Sequence, residues 1–330
     1  MKKRATALRL LGCSVLVTAT GLSACSDDGE GAGVPAGGEP SHDAGSTPGA
    51  SSGNLGASSG ASPDADASPP ADARASSDAA LALPECGDRA VVANPWIATE
   101  FSGLTPVTGT FTKRQFVELP AIVKDATSSH VKYAFDFDEA QSPTDPRVAL
   151  VNVRVTDLES TDGFGGAIQT DGAAGAKVFL SNVYIEPNWP QWEGYDTTNF
   201  DGMVLDDSEE IFAEDVMVKN WNADSAADIK AKRAQLVCFR TEGDGNRTLR
   251  YWKPGPHYLV KSSLNNDTGD IVWLEQCEGA KIFVYQSTFN GQTQIPADKI
   301  SCHHGSAPEI VYLTVDPRST GEMHPMFSAR

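Results

Sequence analysis

Lys230 and Arg250 are the residues whose type and setting most suggest chemistry. They form a local basic pair in an acidic chain, with 44 Asp and Glu against 26 Lys and Arg and a formal net charge of -18. Around them stand Lys232, Trp252 and the acids Asp201, Asp206, Asp207, Asp224 and Asp228. An Arg grips a carboxylate bidentately, and a Lys perturbed by its surroundings can carry a proton. A second set precedes them. The stretch EPNWPQWEGYDTTNF holds Trp189, Trp192, Tyr195 and Phe200. Aromatic rings stack on sugar faces, and loops are where such platforms are built. The plain structural alternatives are solvated Lys and Arg paired with Asp, and rings folded back onto the core.

Two families of β-rich segments would have to position these residues. One reads RVALVNVRV, AKVFLSNVYI, EEIFAEDVMV, AQLVCF, HYLVKSSL, AKIFVYQSTF and PEIVYLTV. Its matched positions are Val148, Val178, Ile211, Leu236, Leu259, Ile282 and Ile310. The other family has matched positions Ile168, Val204, Ile229, Leu249 and Val272. A shared variable period of short strands predicts an all-β stacked coil, a right-handed parallel β-helix with a continuous aliphatic column inside. The paired spacing favours it over a β-sandwich. Residues 223–234 look helical by composition, but their place in the repeat predicts strand and turn. Strict alternation then turns Gln169, Leu205, Lys230, Arg250 and Trp273 outward, followed by Asp171, Asp207, Lys232, Trp252 and Glu275. Lys230 and Arg250 are thereby expected on adjacent turns of one face. Asn220, Asn265 or Asn266, and Asn290 follow matched strands and suggest a partial Asn ladder. The folded domain is taken as 84–330, with 84–145 expected to cap one end and the polar stretch 317–330 expected to cap or fray at the other.

Lys2, Lys3, Arg4 and Arg9 precede the apolar stretch 10–22, a secretory signal pattern. Leu22-Ser23-Ala24-Cys25 resembles a bacterial lipobox, which implies a signal peptide over 1–25 and a lipid on Cys25. Ser26 rather than Asp follows, so the expected location is the cell envelope, at the outer membrane or cell surface. Residues 26–83 are dominated by Ala, Ser, Gly and Pro and hold no aromatic residue, which predicts a disordered tether. Cys86, Cys238, Cys277 and Cys302 then remain in an oxidising compartment, where two disulfides have three possible connectivities. Cys277 and Cys302 lie about one repeat apart.

The segment from Asp201 to Lys230 is similar to the small calcium-dependent lyases of polysaccharide lyase family three, within the pectate lyase superfamily. The likeness is carried by Asp201-Gly202 and by Asp224-Ser225-Ala226-Ala227-Asp228-Ile229-Lys230, and departs at Ser225, where a second acid is expected. It implies β-elimination on a uronic-acid polymer. Asp201, Asp224 and Asp228 would hold calcium, which would acidify the carbon-bound proton beside the substrate carboxylate. Lys230 would take that proton and Arg250 would grip the carboxylate. Trp189, Trp192, Lys232 and Trp252 would line the substrate path.

Asp206-Asp207 and His303-His304-Gly305 resemble motifs of β-helical polygalacturonases, but the repeat sets them about 19 Å apart. Adjacent His side chains on a strand diverge, so that pair is expected at the surface rather than on a metal. The charge argues against nucleic acid as a partner. No phosphate loop, Ser nucleophile elbow or zinc motif is present, and no apolar run after the N-terminus is long enough to span a bilayer. The expectation is a monomeric lipoprotein that acts on an acidic polysaccharide. The alternatives are a non-catalytic carbohydrate-binding or adhesive solenoid, and a structural envelope protein.

Overall fold

A computed structural model describes Cys86 and residues 94–138, 146–170, 174–206 and 208–327. The signal peptide, Cys25, the tether, Asp171 and Asp207 lie outside the described residues. The chain is an all-β parallel solenoid of about 7 turns.

Successive turns lay their strands into two sheets. The first sheet stacks Val107–Phe111, Ala121–Ser129, Arg147–Thr156, Lys177–Glu186, Glu210–Lys219, Arg233–Val237, His257–Val260, Lys281–Tyr285 and Glu309–Tyr312. The second stacks Gln115–Glu118, Tyr133–Asp138, Phe164–Gln169, Asn199–Leu205, Ser225–Ile229, Arg247–Tyr251, Asp270–Gln276 and Ile300–His304. All these neighbours are parallel. Val148, Val178 and Ile211 form one inward column as expected. Ile211 then pairs with Ala234 and Leu236 with Ala213, a two-residue offset that keeps the same side inward. Residues 223–234 are strand and turn, as the repeat predicts.

The first sheet turns a corner in seven successive coils at a residue with positive φ: Asp125, Asn152, Asn182, Asp215, Cys238, Lys261 and Gln286, at 46–54°. Asn and Asp tolerate this conformation best. Their side chains also bond between turns, Asn152 donating to Asp125 at 2.6 Å and Asn182 to Asn152 at 3.1 Å. The expected Asn ladder is therefore real but divided. Asn266 and Asn290 bond each other, while Asn220 donates to Asn188 at 2.9 Å.

The ends differ from expectation. Residues 107–138 are not a cap, because their strands join both sheets as early turns. The helix Pro95–Glu100, capped by Asn94, lies on the outside of the first sheet. The segment ending in Met323, Met326 and Phe327 returns to the same outer face and buries these residues with Ile97, Phe101, Phe179 and Phe212, so residues 317–327 are not simply a polar end. Asn94 ties the two segments, donating to the Met326 carbonyl at 3.0 Å. Disulfides join Cys86 to Cys238 on this face and Cys277 to Cys302 on successive turns of the second sheet.

Candidate functional site on the second sheet

The strands of the second sheet break strict alternation. Two consecutive residues face the core in the inner turns: Ala134 and Phe135, Ala167 and Ile168, Ala226 and Ala227, Ile271 and Val272. These strands thus bend inward once. The outward residues on either side fall three apart, as in Asp201 and Val204, Ser225 and Asp228, and Arg247 and Arg250. The true ladder sets Val204 against Asp228, Asp228 against Arg250, and Arg250 against Trp273. This corrects the expected row. Leu205 points inward, Arg250 has Asp228 beside it rather than Lys230, and Lys230 falls beside Trp252 at the strand end. The two cations nevertheless meet over one ring, with Lys230 Nζ 5.1 Å and the Arg250 guanidinium carbon 4.7 Å from the Trp252 centroid.

The three acids gather around Arg250. Asp224 accepts from Arg250 Nη1 at 2.9 Å, from Arg247 Nη1 at 2.7 Å and from Asn246 at 3.0 Å. Asp228 accepts from Trp252 Nε1 at 2.6 Å and lies 3.8 Å from Arg250 Nε. Asp201 accepts from the Ser225 hydroxyl. All three acids and Arg250 are buried on what is topologically the outer side of a sheet. Burial and the nearby charges of Asp228 and Asp224 push the Asp201 carboxyl well above the usual carboxylate range. Burial likewise raises Asp228 to about 6, against the pull of Arg250 and Lys230. Lys230 bonds Asp206 at 2.6 Å. Burial alone would lower its ammonium, but that bond and the charges of Asp228 and Asp206 leave it raised. A raised Lys stays protonated at neutral pH, which suits charge pairing better than proton abstraction.

The residues also bear on the expected calcium ion. Both Asp224 oxygens are taken by cations of the chain, and Arg250 occupies the space between Asp224 and Asp228. As arranged, the donor set does not fit calcium, which would have to displace Arg250.

The aromatic residues separate. Trp189 is not a sugar platform; it is buried, stacks on Phe200 with centroids 4.4 Å apart, and donates to the Asp201 carbonyl at 2.8 Å. Gly165 permits this, since a Cβ there would meet the Trp189 ring at 2.8 Å. Trp192 is half-buried and lines an open pocket with Gln191, Asp244, Asn246 and Thr268. Lys232 is removed from the cluster, pairing with Glu209 at 2.8 Å on the turn into the first sheet.

Several members of the site escape the sequence reading. Arg247 and Asn246 complete the Asp224 environment. Arg114 pairs with Asp136 and donates to Gln169 at 3.1 Å, earlier on the same outer row. The three-residue spacing of Arg247 and Arg250 is the signal for the first of these, but it has meaning only once the inward bend is known.

No family model, curated protein or solved structure matches this chain. The likeness to pectate lyases therefore rests on the quoted residues alone, and the class that the fold defines is the parallel β-solenoid.

Proposed function

We propose that the protein engages an acidic polysaccharide along the outer face of its second sheet, held at the cell envelope by the lipid on Cys25 and the tether over 26–83. The observation that carries this reading is that five cations near this face lie over aromatic rings. Arg114 covers Phe116 and Tyr133, Lys132 covers Tyr133 and Phe164, Lys230 covers Trp252, Arg250 covers Trp252 and Trp273, and Arg247 covers Trp273. A uronic-acid polymer repeats the complementary pair, a ring face to stack and a carboxylate to bond. Lys230 and Trp252 are the reachable part of the central cluster, and Asp228 fixes the Trp252 ring by accepting its N–H.

Cleavage of the bound polymer is the second reading, favoured by Asp228. Burial raises its pKa to about 6, close to the range in which a proton-transfer group works at neutral pH. Elimination by a neutral Lys230 is less supported, because Asp206 keeps that side chain charged.

Both readings are tested by titrating the full chain with a panel of uronic-acid polymers, with calcium and with chelator, while following unsaturated product by ultraviolet absorbance. Lys230→Ala and Trp252→Ala are each expected to weaken binding roughly tenfold, the loss of one charge-assisted or stacking contact. Product that appears with the wild type and vanishes with Asp228→Asn selects cleavage. No binding to any acidic polymer by the folded protein overturns both readings.

A further inference from the structure

We propose that Glu275, His303 and His304 form a binding site for a borderline divalent transition metal, with zinc as the representative ion. His303 and His304 end the strand Ile300–His304, and Glu275 lies one turn earlier on Asp270–Gln276. The divergence expected of adjacent strand residues does not occur here. The strand stops at His304, Gly305 follows with φ +96°, and the two imidazole centroids lie 4.0 Å apart. Both rings reach the same carboxylate. His303 Nδ1 is 3.0 Å from one Glu275 oxygen and His304 Nε2 is 3.4 Å from the other.

These separations are close to those of a bound ion. Zinc takes nitrogen and oxygen at about 2.0–2.1 Å in tetrahedral geometry, which places two ligands about 3.4 Å apart. One ligand atom from each of the three residues lies within 4.8 Å of the others, and among the described residues no other group of His, Cys, Asp and Glu does this. Two imidazoles select zinc, copper or nickel over calcium or magnesium, which prefer all-oxygen sites.

The surroundings support the arrangement. The disulfide Cys277–Cys302 joins the residue that follows the Glu275 strand to the strand that carries the His pair, holding Glu275 and the His pair close together. Trp273 lies beside His303, stacked with centroids 6.1 Å apart, and limits the positions of that ring. Both His residues are exposed, so an ion can enter and a fourth position remains open to water or to an oxygen of a bound molecule. The proposal does not depend on the polysaccharide reading, because it concerns the metal alone.

The test is calorimetric titration of the full chain with zinc in metal-free buffer, repeated for Glu275→Gln, His303→Ala and the double variant His303→Ala/His304→Ala. The wild type is expected to bind one ion per chain. Each single variant is expected to lose at least roughly tenfold in affinity, the lower end of what even outer-sphere partners of a metal cost, and the double variant is expected to lose the site. His130→Ala is the control, because His130 also faces a carboxylate, Glu159 at 2.7 Å, but without a second imidazole. It should leave the isotherm unchanged. These ligands are surface side chains, and circular dichroism verifies that each variant is folded. Zinc uptake that is equal in the wild type and the double variant, or absent from both, overturns the assignment.

Discussion

The two sheets of the solenoid share their turns, yet their outer faces have opposite chemistry. Outside the first sheet, Phe179 stacks on Phe212 with centroids 5.1 Å apart, and the helix Pro95–Glu100 and the returning C-terminal segment cover both. Outside the second sheet, Asp201, Asp224, Asp228 and Arg250 are buried instead. The inner faces of both sheets contribute to one continuous apolar core. Inward residues therefore specify the coil, while each outer face is free to take a separate task. Covering an outer face with apolar contacts stabilises the fold directly. Burying charges there costs several kcal/mol per ion before pairing recovers it, so folding gains little from this cluster, and function is the stronger reason for its presence.

The largest expected effects come from breaking each face in its own way. Phe212→Ala should cost about 3–5 kcal/mol by removing a fully buried ring. Arg250→Met should cost a similar 3–5 kcal/mol, by leaving Asp224 and Asp228 without their shared cation. Urea denaturation measures both. The difference lies in rescue. Adding Asp224→Asn to Arg250→Met should recover part of the loss, whereas no neutralisation should help Phe212→Ala. An Arg250→Met protein as stable as the wild type would remove the distinction between the faces.

The coil was legible because its inward residues are aliphatic and recur with the turns. Val148, Val178 and Ile211 align from sequence alone. The site was legible only in composition. Asp201, Asp224, Asp228, Lys230, Arg250 and Trp252 do converge on one face, but strict alternation misplaces Val204 and Lys230, since a period of two cannot represent two consecutive inward residues. Ala226-Ala227 looks like any small-residue pair until the strand is seen to bend there. Trp189 and Trp192 could not be separated by residue type; what separates them is the space above Gly165. The return of Met323, Met326 and Phe327 to the first sheet depends on contacts far away in the chain, such as Asn94 to Met326.

A pH experiment sharpens the contrast further. Asp228 ionises near 6 in the folded protein against an ordinary 3.8. Below the ordinary value both folded and unfolded chains hold the proton, and burial carries no penalty. Between about 4 and 6 the unfolded chain releases it first, so the folded state loses stability as pH rises. Above 6 the penalty is complete, roughly 3 kcal/mol at about 1.4 kcal/mol per pKa unit. Asp228→Asn removes this slope. Relative to the wild type, the variant should gain roughly 3 kcal/mol in unfolding free energy between pH 3 and pH 7, whatever the pH-independent cost of the substitution. A constant difference across that range would mean that Asp228 is not held in a charge-excluding site. His257 is a reference with the opposite direction. Burial lowers it to about 4, so its contribution is lost as pH falls from about 6.5 toward 4.

The smallest expected effect belongs to Lys232, and it is informative for that reason. Lys230 and Lys232 are two residues apart and each pairs with an acid, Asp206 and Glu209. Lys230 lies over Trp252 with its side chain 34% exposed, whereas that of Lys232 is 70% exposed, on the turn leading to the first sheet. An exposed pair gains little Coulomb energy in water and is screened by salt. Lys232→Ala should therefore change stability by no more than about 0.5 kcal/mol and leave polymer binding unchanged, while Lys230→Ala weakens it. Equal losses from the two substitutions would show that the polymer follows the turn between the sheets. The cation–aromatic row on the second sheet would then be a structural feature, and the functional difference between the two faces would disappear.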